Sequence, residues 1–497
     1  MTEKYVRNTT GAKLVIMEGD RIFTFPLDNR PEWPLVRANS AADPESMIVL
    51  HSSIVSKYHA HLRKTDGSWY YIDNPNNTNG TLYNGIKMTA PHGLAGKVRL
   101  FDGDILRIDS QNDQSNANAV LMMYTTSPVE DRWDRHSIRG KQSVLIGRSP
   151  SCDIVQSLPY LSAKHAEIMA MNGAWYLRDC GSKAGTYLNR QRVTKPVRLR
   201  DKDCFTLADR MFFLLGDVIY SMAGTGKVQH ASYNTADKPV ILRANIRTKR
   251  VKNNSGAGMR ELIRDIRLEV KQGTLVAMLG TAGAGKTTVM NCLNGMDLQG
   301  VEGSVIYRNV ELMENFDQMK SLIGSVPQQK IFHKTFTPEM EFRFAARKRL
   351  PGDTTKAEIE NRVDQTLKML SIQGVRKSQN CKLSGGEQTR VNVGIELVAD
   401  RDLLCLDEPD QGLSPNYKHE LFEILQRLAH ESGKTMLCII HDVSEIDMFD
   451  QVIILAKKDG VGRLAFSGSP QEAKQHFGVD IRDAYALLDK HPERYIR

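Results

Sequence analysis

Nine consecutive residues, Gly280-Thr-Ala-Gly-Ala-Gly-Lys-Thr-Thr288, carry the clearest chemistry in the chain. They fit the pattern G-x-x-x-x-G-K-[ST]. An apolar run, Thr274-Leu-Val-Ala-Met-Leu279, precedes them, and Val289-Met-Asn-Cys-Leu293 follows. A buried strand opening into a helix is the setting this pattern needs. Gly280, Gly283 and Gly285 let the backbone curl so that successive N–H groups face phosphate oxygens, with Thr281, Ala282, Ala284 and Thr288 completing the loop. The helix start behind the loop adds positive potential. Lys286 is expected to reach the terminal phosphates, and the Thr287 hydroxyl to ligate magnesium.

Four more elements follow in a fixed order. Ile323-Gly-Ser-Val-Pro-Gln328 reads as a strand ending in glutamine, and Leu383-Ser-Gly-Gly-Glu387 opens a helical stretch. Asp402-Leu-Leu-Cys-Leu-Asp-Glu408 is an apolar strand ending in two carboxylates, and Cys438-Ile-Ile-His441 one ending in a histidine. Together with the glycine loop, these elements resemble the nucleotide-binding domain of ABC ATPases over roughly residues 241–475. The resemblance implies ATP and Mg2+ as cofactors. It places Asp407, Thr287 and Gln328 at the metal. It makes Glu408 the group that orients or deprotonates the attacking water, with His441 and Gln328 beside it. Ser384, Gly385 and Gly386 would start a helix aimed at the γ-phosphate held by a second copy, so a homodimer is implied.

The resemblance is nearest to the G-type group, through Gly280–Thr288, Phe344-Ala-Ala-Arg347, Ser384–Arg390, and Phe449-Asp-Gln-Val-Ile-Ile-Leu455 followed by Phe466-Ser-Gly468. In bacterial relatives with FHA domains fused ahead of such an ATPase, a membrane domain usually continues past the position matching Arg497, so the expectation here is either a sequence cut short before that domain or a membrane domain on a separate polypeptide. The chain departs from the family pattern at three places. Ser414 replaces a dimer-contacting aspartate, Met340 a glutamate after the glutamine loop, and no aromatic residue lies between Tyr233 and Tyr307 to stack on adenine.

The elements that must position this chemistry change type near Val240, where strands begin to alternate with helices as in an α/β fold with a largely parallel sheet. Before Pro239 the runs are short, alternating and broken by Gly, Asn, Asp and Pro, which reads as β-sandwich. Two segments echo each other. Val55-Ser-Lys-Tyr-His-Ala60, Trp69, Asp73 and Asn79-Gly-Thr-Leu-Tyr-Asn84 match Leu161-Ser-Ala-Lys-His-Ala166, Trp175, Asp179 and Ala184-Gly-Thr-Tyr-Leu-Asn189 at an offset of 106 falling to 105. Both copies resemble the forkhead-associated (FHA) domain, with its G-R, S-x-x-H and N-G-T pattern. That family's fold is a twisted sandwich whose end loops bind phosphothreonine. Its binding positions correspond here to Arg37, Ser56, Lys57, Thr78 and Asn79, and in the second copy to Arg148, Ser162 and Lys183. Val36 stands in place of the first copy's glycine, and Ala184 in place of the second copy's asparagine, so the first copy is expected to be the better reader. His59 and His165 brace the loop in this family, and Trp69 and Trp175 read as core.

The expected architecture is therefore multidomain: two all-β FHA sandwiches (1–125 and 126–216), a linker (217–240), an α/β P-loop ABC-type nucleotide-binding domain with a helical subdomain (241–475) and a tail (476–497). Within the linker, Gly224-Thr-Gly-Lys227 mimics a phosphate loop. It fails because Ser221 replaces the first glycine and Val228 follows the lysine. Thr225 and Thr235 there are candidate phosphorylation sites that could dock into a neighbouring FHA pocket. Composition agrees with ordinary globular protein: 41% hydrophobic, 25% charged, net charge +9. No signal peptide and no run of about 20 apolar residues is seen, so the chain reads as cytoplasmic and peripheral on the inner membrane face. Seven scattered cysteines read as small core residues of a reducing compartment. The leading function is the ATP-hydrolysing subunit of a membrane transporter, regulated by phosphothreonine. Its partners are then a membrane-spanning domain or subunit and a phosphoprotein with its Ser/Thr kinase, with no nucleic acid. The alternative is a soluble phosphothreonine-binding scaffold whose ATPase acts as a conformational switch. Hydrophobic spans beyond Arg497 or in a neighbouring gene discriminate the two.

Overall fold

The structure, a computed structural model, describes residues 11–19, 21–40, 43–84, 86–88, 96–110, 118–126, 133–189, 191–222, 238–252, 258–308, 310–490 and 492–496. Thr225, Thr235 and the Gly224–Lys227 sequence lie outside the described residues. The chain divides into two compact units, one holding nearly all residues before 228 and the other nearly all after.

The first unit contains two β-sandwiches. In the first sandwich a six-stranded sheet runs in the order Arg21–Pro26, Lys13–Glu18, Val120–Thr125, Ile105–Ile108, Thr81–Tyr83, Ile86–Lys87. It faces a five-stranded sheet ordered Ile48–Leu50, Glu32–Arg37, Tyr58–Thr65, Ser68–Asp73, Lys97–Arg99. Ser68–Asp73 alternates half-buried and buried residues, as a strand with one face on the core must. Trp69 sits on that inner face, its indole N–H donating to Asp28 Oδ1 at 3.2 Å. The second sandwich repeats the plan with six- and five-stranded sheets. Trp175, expected in its core, is only half-buried. A second difference concerns the stretch read as linker. It opens with a strand, Val218–Met222, paired antiparallel with Arg210–Leu215 and with Trp133–Ser137. Gly216, at φ 57°, makes the tight turn that returns the chain, and Val, Ile and Tyr supply strand-forming side chains.

The second unit is built on one ten-stranded sheet. Five strands, Gln451–Lys458, Leu275–Gly280, Thr435–Ile439, Leu403–Asp407 and Ile323–Val326, lie parallel in that order. Leu275–Gly280 is buried at all six positions, the pattern of a parallel strand covered on both faces. Of the other strands, Val240–Lys252 pairs antiparallel with Met259–Lys271 and with Val301–Tyr307, and Val461–Gly468 pairs antiparallel with Gln451–Lys458 but parallel with Met259–Lys271, so the sheet is mixed. Three helices, Pro338–Arg349, Lys356–Met369 and Gly385–Leu397, pack as a subdomain. There a Cβ at Gly394 would collide with the buried Phe342 ring, so glycine is what lets the first and third helices close up. Parallel register sets the ends of these strands level: Met278 pairs Ile439, and Asp407 pairs Ile439 from the other side. Among the described residues no helix is long and apolar enough to cross a membrane.

Candidate functional site

At the end of Leu275–Gly280 the chain turns tightly, and the helix Lys286–Leu293 begins at once. Gly285, its N-cap, adopts φ 83°, and a Cβ there would lie 2.7 Å from Ile263 Cγ2. A Cβ at Gly280 would come within 2.5 Å of the Leu455 carbonyl oxygen. Both glycines are thus required by space as well as by backbone shape. Lys286 folds back over the loop, its Nζ donating to the Gly280 carbonyl at 2.9 Å and the Thr281 carbonyl at 3.4 Å. Desolvation pulls its pKa down, opposed by the charges of Glu408 and Asp407. The Thr287 side chain is hydrogen-bonded to Asp407. Burial first, and then the charge of Glu408, raise the Asp407 pKa.

Glu408 sits just past the strand with φ 48°, a left-handed conformation that costs a non-glycine residue about 1–2 kcal/mol. Its N–H donates to the Ile439 carbonyl at 3.1 Å. The carboxylate accepts from Gln328 Nε2 at 2.9 Å and Gln411 Nε2 at 3.1 Å, and lies 2.7 Å from His441 Nε2. Groups from three separate loops converge on one carboxylate. That network over-determines the strained backbone and fixes where the oxygens point.

Ser384 caps the helix Gly385–Leu397 through a reciprocal capping box. Its Oγ accepts from the Glu387 N–H at 3.3 Å, and the Glu387 carboxylate accepts from the Ser384 N–H at 2.8 Å. Gly385 and Gly386 form the first turn, so the helix start carries no side chains of its own at these two positions. Lys330, two residues beyond Gln328, donates to the Gly385 carbonyl at 2.9 Å and so ties the glutamine loop to this turn.

In the first sandwich, Arg37, Ser56, Lys57, Thr78 and Asn79 surround one open cavity of about 410 Å3, joined by Tyr58, Asn74 and Asn76. Its walls are held from below. His59 is buried, its Nδ1 accepting from the Ser56 N–H at 3.1 Å while Nε2 faces Thr81 Oγ1 at 3.2 Å. Thr81 donates to Asp73, and Asn77 bonds both Asp73 and the His59 carbonyl. Asn79 Nδ2 donates to the Ile54 carbonyl at 2.8 Å, bracing the loop that carries Ser56. In the second sandwich Arg148 follows the strand Ser143–Gly147 as Arg37 ends Glu32–Arg37, and Lys183 precedes Thr186–Leu188. Ser162 is buried. Ala184 is buried, and His165 Nε2 lies 3.2 Å from the Gly185 carbonyl.

Residues 263–411 match the family model of the ABC transporter, and residues 37–109 and 144–208 match that of the FHA domain. The chain joins two FHA domains to an ABC transporter domain. It is similar to an ABC transporter ATP-binding/permease protein of Mycobacterium tuberculosis, 30% identical over 352 residues, 71% of this chain and 38% of that protein. It is also similar to ABC transporter G family member 28 of Arabidopsis thaliana, 34% identical over 225 residues, 44% of this chain and 20% of that protein. The chain thus spans well under half the length of these curated relatives. A solved ATP-binding subunit of an ABC transporter is 20% identical, covering 50% of this chain and 99% of its own, with a TM-score of 0.41.

Several residues at the ABC site were not singled out from sequence. Gln411 touches Glu408, Lys330 touches the Gly385–Gly386 turn, and Glu387 closes the cap. The last was legible, because Ser384-x-x-Glu387 is a capping-box spacing. Gln411 and Lys330 carry no such signal, since their partners are distant in the chain or depend on a turn. At Met340 the side chain is exposed, while the neighbouring Glu341 is buried and bonds the His333 N–H at 2.9 Å.

Proposed function

We propose that this chain is the ATP-hydrolysing component of an ABC transporter, and that phosphothreonine binding by its first FHA domain regulates it. The observation that carries the catalytic part is Glu408: a carboxylate held by Gln328, Gln411 and His441 at the end of a strand, beside the phosphate loop. A base needs a fixed oxygen aimed at the water, and three partners fix it. The glycine loop and Lys286 bind the β- and γ-phosphates, and the loop's inward N–H groups take up their charge. Thr287 and Asp407 offer hard oxygens already hydrogen-bonded to each other, and Gln328 retains its amide oxygen. Such a set suits Mg2+, which binds proteins through few oxygens and shares the phosphates. The ion would supply charge neutralisation on the phosphates. Ser384, Gly385 and Gly386 present a helix N-terminus to a γ-phosphate on a second copy, so two chains sandwich the nucleotide.

Exposed Ile331, Met340 and Phe344 lie near the glutamine loop and support docking of a membrane-spanning domain there, at the cytoplasmic face. In the first FHA domain, the cavity with Arg37, Ser56 and Lys57 suits a phosphate, and Thr78 and Asn79 suit the peptide beside it. The second FHA domain, with Ala184 buried in place of asparagine, is the weaker reader.

Glu408→Gln should leave nucleotide affinity nearly unchanged and lower turnover at least about 100-fold, the usual scale of a lost general base. Hydrolysis at the wild-type rate would remove Glu408 from that role. For the regulatory part, Arg37→Ala should weaken phosphothreonine-peptide binding about 10- to 100-fold in calorimetry, and Arg148→Ala should leave it unchanged. The reverse pattern would move the site to the second domain.

A further inference from the structure

Behind the Glu408–His441 contact lies a second link between the same two loops. Lys418 stands in the first turn of the helix Pro415–Ser432, with its side chain 11% exposed. A cation there opposes the helix dipole and loses most of its hydration, so compensating charges must hold it. Two carboxylates do so. Asp442 Oδ2 lies 2.5 Å from Lys418 Nζ, and Asp410 Oδ2 lies 3.7 Å from it. Asp410 is buried and comes two residues after Glu408, and Asp442 is the residue after His441. Asp442 is anchored in turn, its Oδ1 accepting from the Ser444 N–H at 2.8 Å. The two loops are therefore bridged once on the nucleotide side, through Glu408 and His441, and once on the helix side, through Asp410, Lys418 and Asp442. The nucleotide-side bridge is exposed at His441, whose side chain is 59% accessible. In the helix-side bridge Lys418 and Asp410 are shielded from water while Asp442 is half-exposed, so its inner Lys418–Asp410 half lies in the lower dielectric.

We propose that Lys418 is a positioning residue for hydrolysis: by joining Asp410 to Asp442 it holds the Glu408 and His441 loops at the separation their contact requires. Lys418 itself touches neither the nucleotide nor the attacking water. The role rests on the ATPase reading above. A positioning group acts on the rate of the chemical step, because small displacements of a base are costly there, while ground-state binding through the glycine loop is untouched.

The test uses the full chain and measures nucleotide affinity, kcat and thermal midpoint together. Lys418→Met should lower kcat about tenfold with the affinity for nucleotide within twofold of wild type. It also strands the buried Asp410, so its thermal midpoint will fall. The double variant Asp410→Asn with Lys418→Met removes both buried charges and should recover the midpoint while kcat stays about tenfold low. Recovery of kcat together with the midpoint would make the link merely structural and overturn the proposal, as would an unchanged kcat in Lys418→Met. Should both fail to accumulate as soluble protein, Asp442→Asn at the half-exposed carboxylate decides: a lower kcat at constant affinity is expected, and an unchanged kcat overturns it. Glu408→Gln separates the two levels. If that variant still turns over normally, the ATPase reading fails. If it is inactive while Lys418→Met is not impaired, only the positioning role falls.

Discussion

His59 illustrates how a single side chain can set the shape of a loop, here the one that carries Ser56. Burial pulls its pKa down from 6.5 to about 4, so the ring is neutral at physiological pH. Neutrality is what the geometry needs, because Nδ1 must keep a lone pair to accept from the Ser56 N–H. The sign of the linkage follows. The unfolded histidine takes up a proton below about pH 6.5, the folded one only below about 4, so the unfolded state holds more protons between these values and stability falls as pH falls through that window. The full effect is about 3 kcal/mol. Urea unfolding followed by tryptophan fluorescence suits the measurement, since Trp33, Trp69, Trp133 and Trp175 all precede the ABC domain. The wild type should lose stability relative to His59→Gln between pH 6.5 and pH 4. Parallel pH profiles would show that His59 is not held neutral by burial.

At the scale of elements, the ABC site is a matter of strand register. Gly280, Asp407 and Ile439 reach the same edge because three parallel strands run level with one another. Their all-apolar composition forces them into the middle of the sheet, and parallel pairing then delivers every strand's C-terminal end to one side. This much was legible, since each motif stands at the end of an apolar run. The antiparallel arm was less so: Val240–Lys252 and Met259–Lys271 are rich in arginine and lysine, and the alternation along Val240–Lys252 is broken where the pairing bulges, between Val240 and Leu242 and between Lys249 and Arg250. The strand Val218–Met222 was missed for a related reason. Five residues flanked by Gly, Ser and Thr look like linker until a hairpin partner is available to pair with them.

At the scale of the whole unit, the two FHA domains do not behave as beads on a string. Val15, Met17, Ile105, Leu121 and Met123 of the first form one buried cluster with Phe213 of the second, and Cys204, Met211 and Tyr220 pack against it. Arg107 of the first domain, 8% exposed, donates to Asn189 Oδ1 at 3.3 Å and to the Lys202 carbonyl at 3.1 Å in the second. Large-to-small changes at such a site cost about 3–5 kcal/mol. Phe213→Ala should therefore lower amide protection in Lys13–Glu18 and Val120–Thr125 of the first domain as well as in the second, measured by hydrogen exchange. Loss confined to the second domain would mean that the core is not shared. The second domain thus serves as the other half of a core, whatever it binds.

From the sequence alone came the repeat, the change from sandwich to α/β near Val240, and each motif with its chemistry, because those follow from residue type and local spacing. Glycines that curl a loop, a serine that caps a helix and an apolar strand ending in carboxylates all act within a few residues of themselves. The tertiary structure decided which of these groups meet. That Gln328, Gln411 and His441 share the Glu408 carboxylate depends on loops brought together by strand order. That Lys418 joins Asp410 to Asp442 depends on a helix packed behind them. That the two FHA domains share a core depends on sheet faces whose alternation says only that they are buried, never against what.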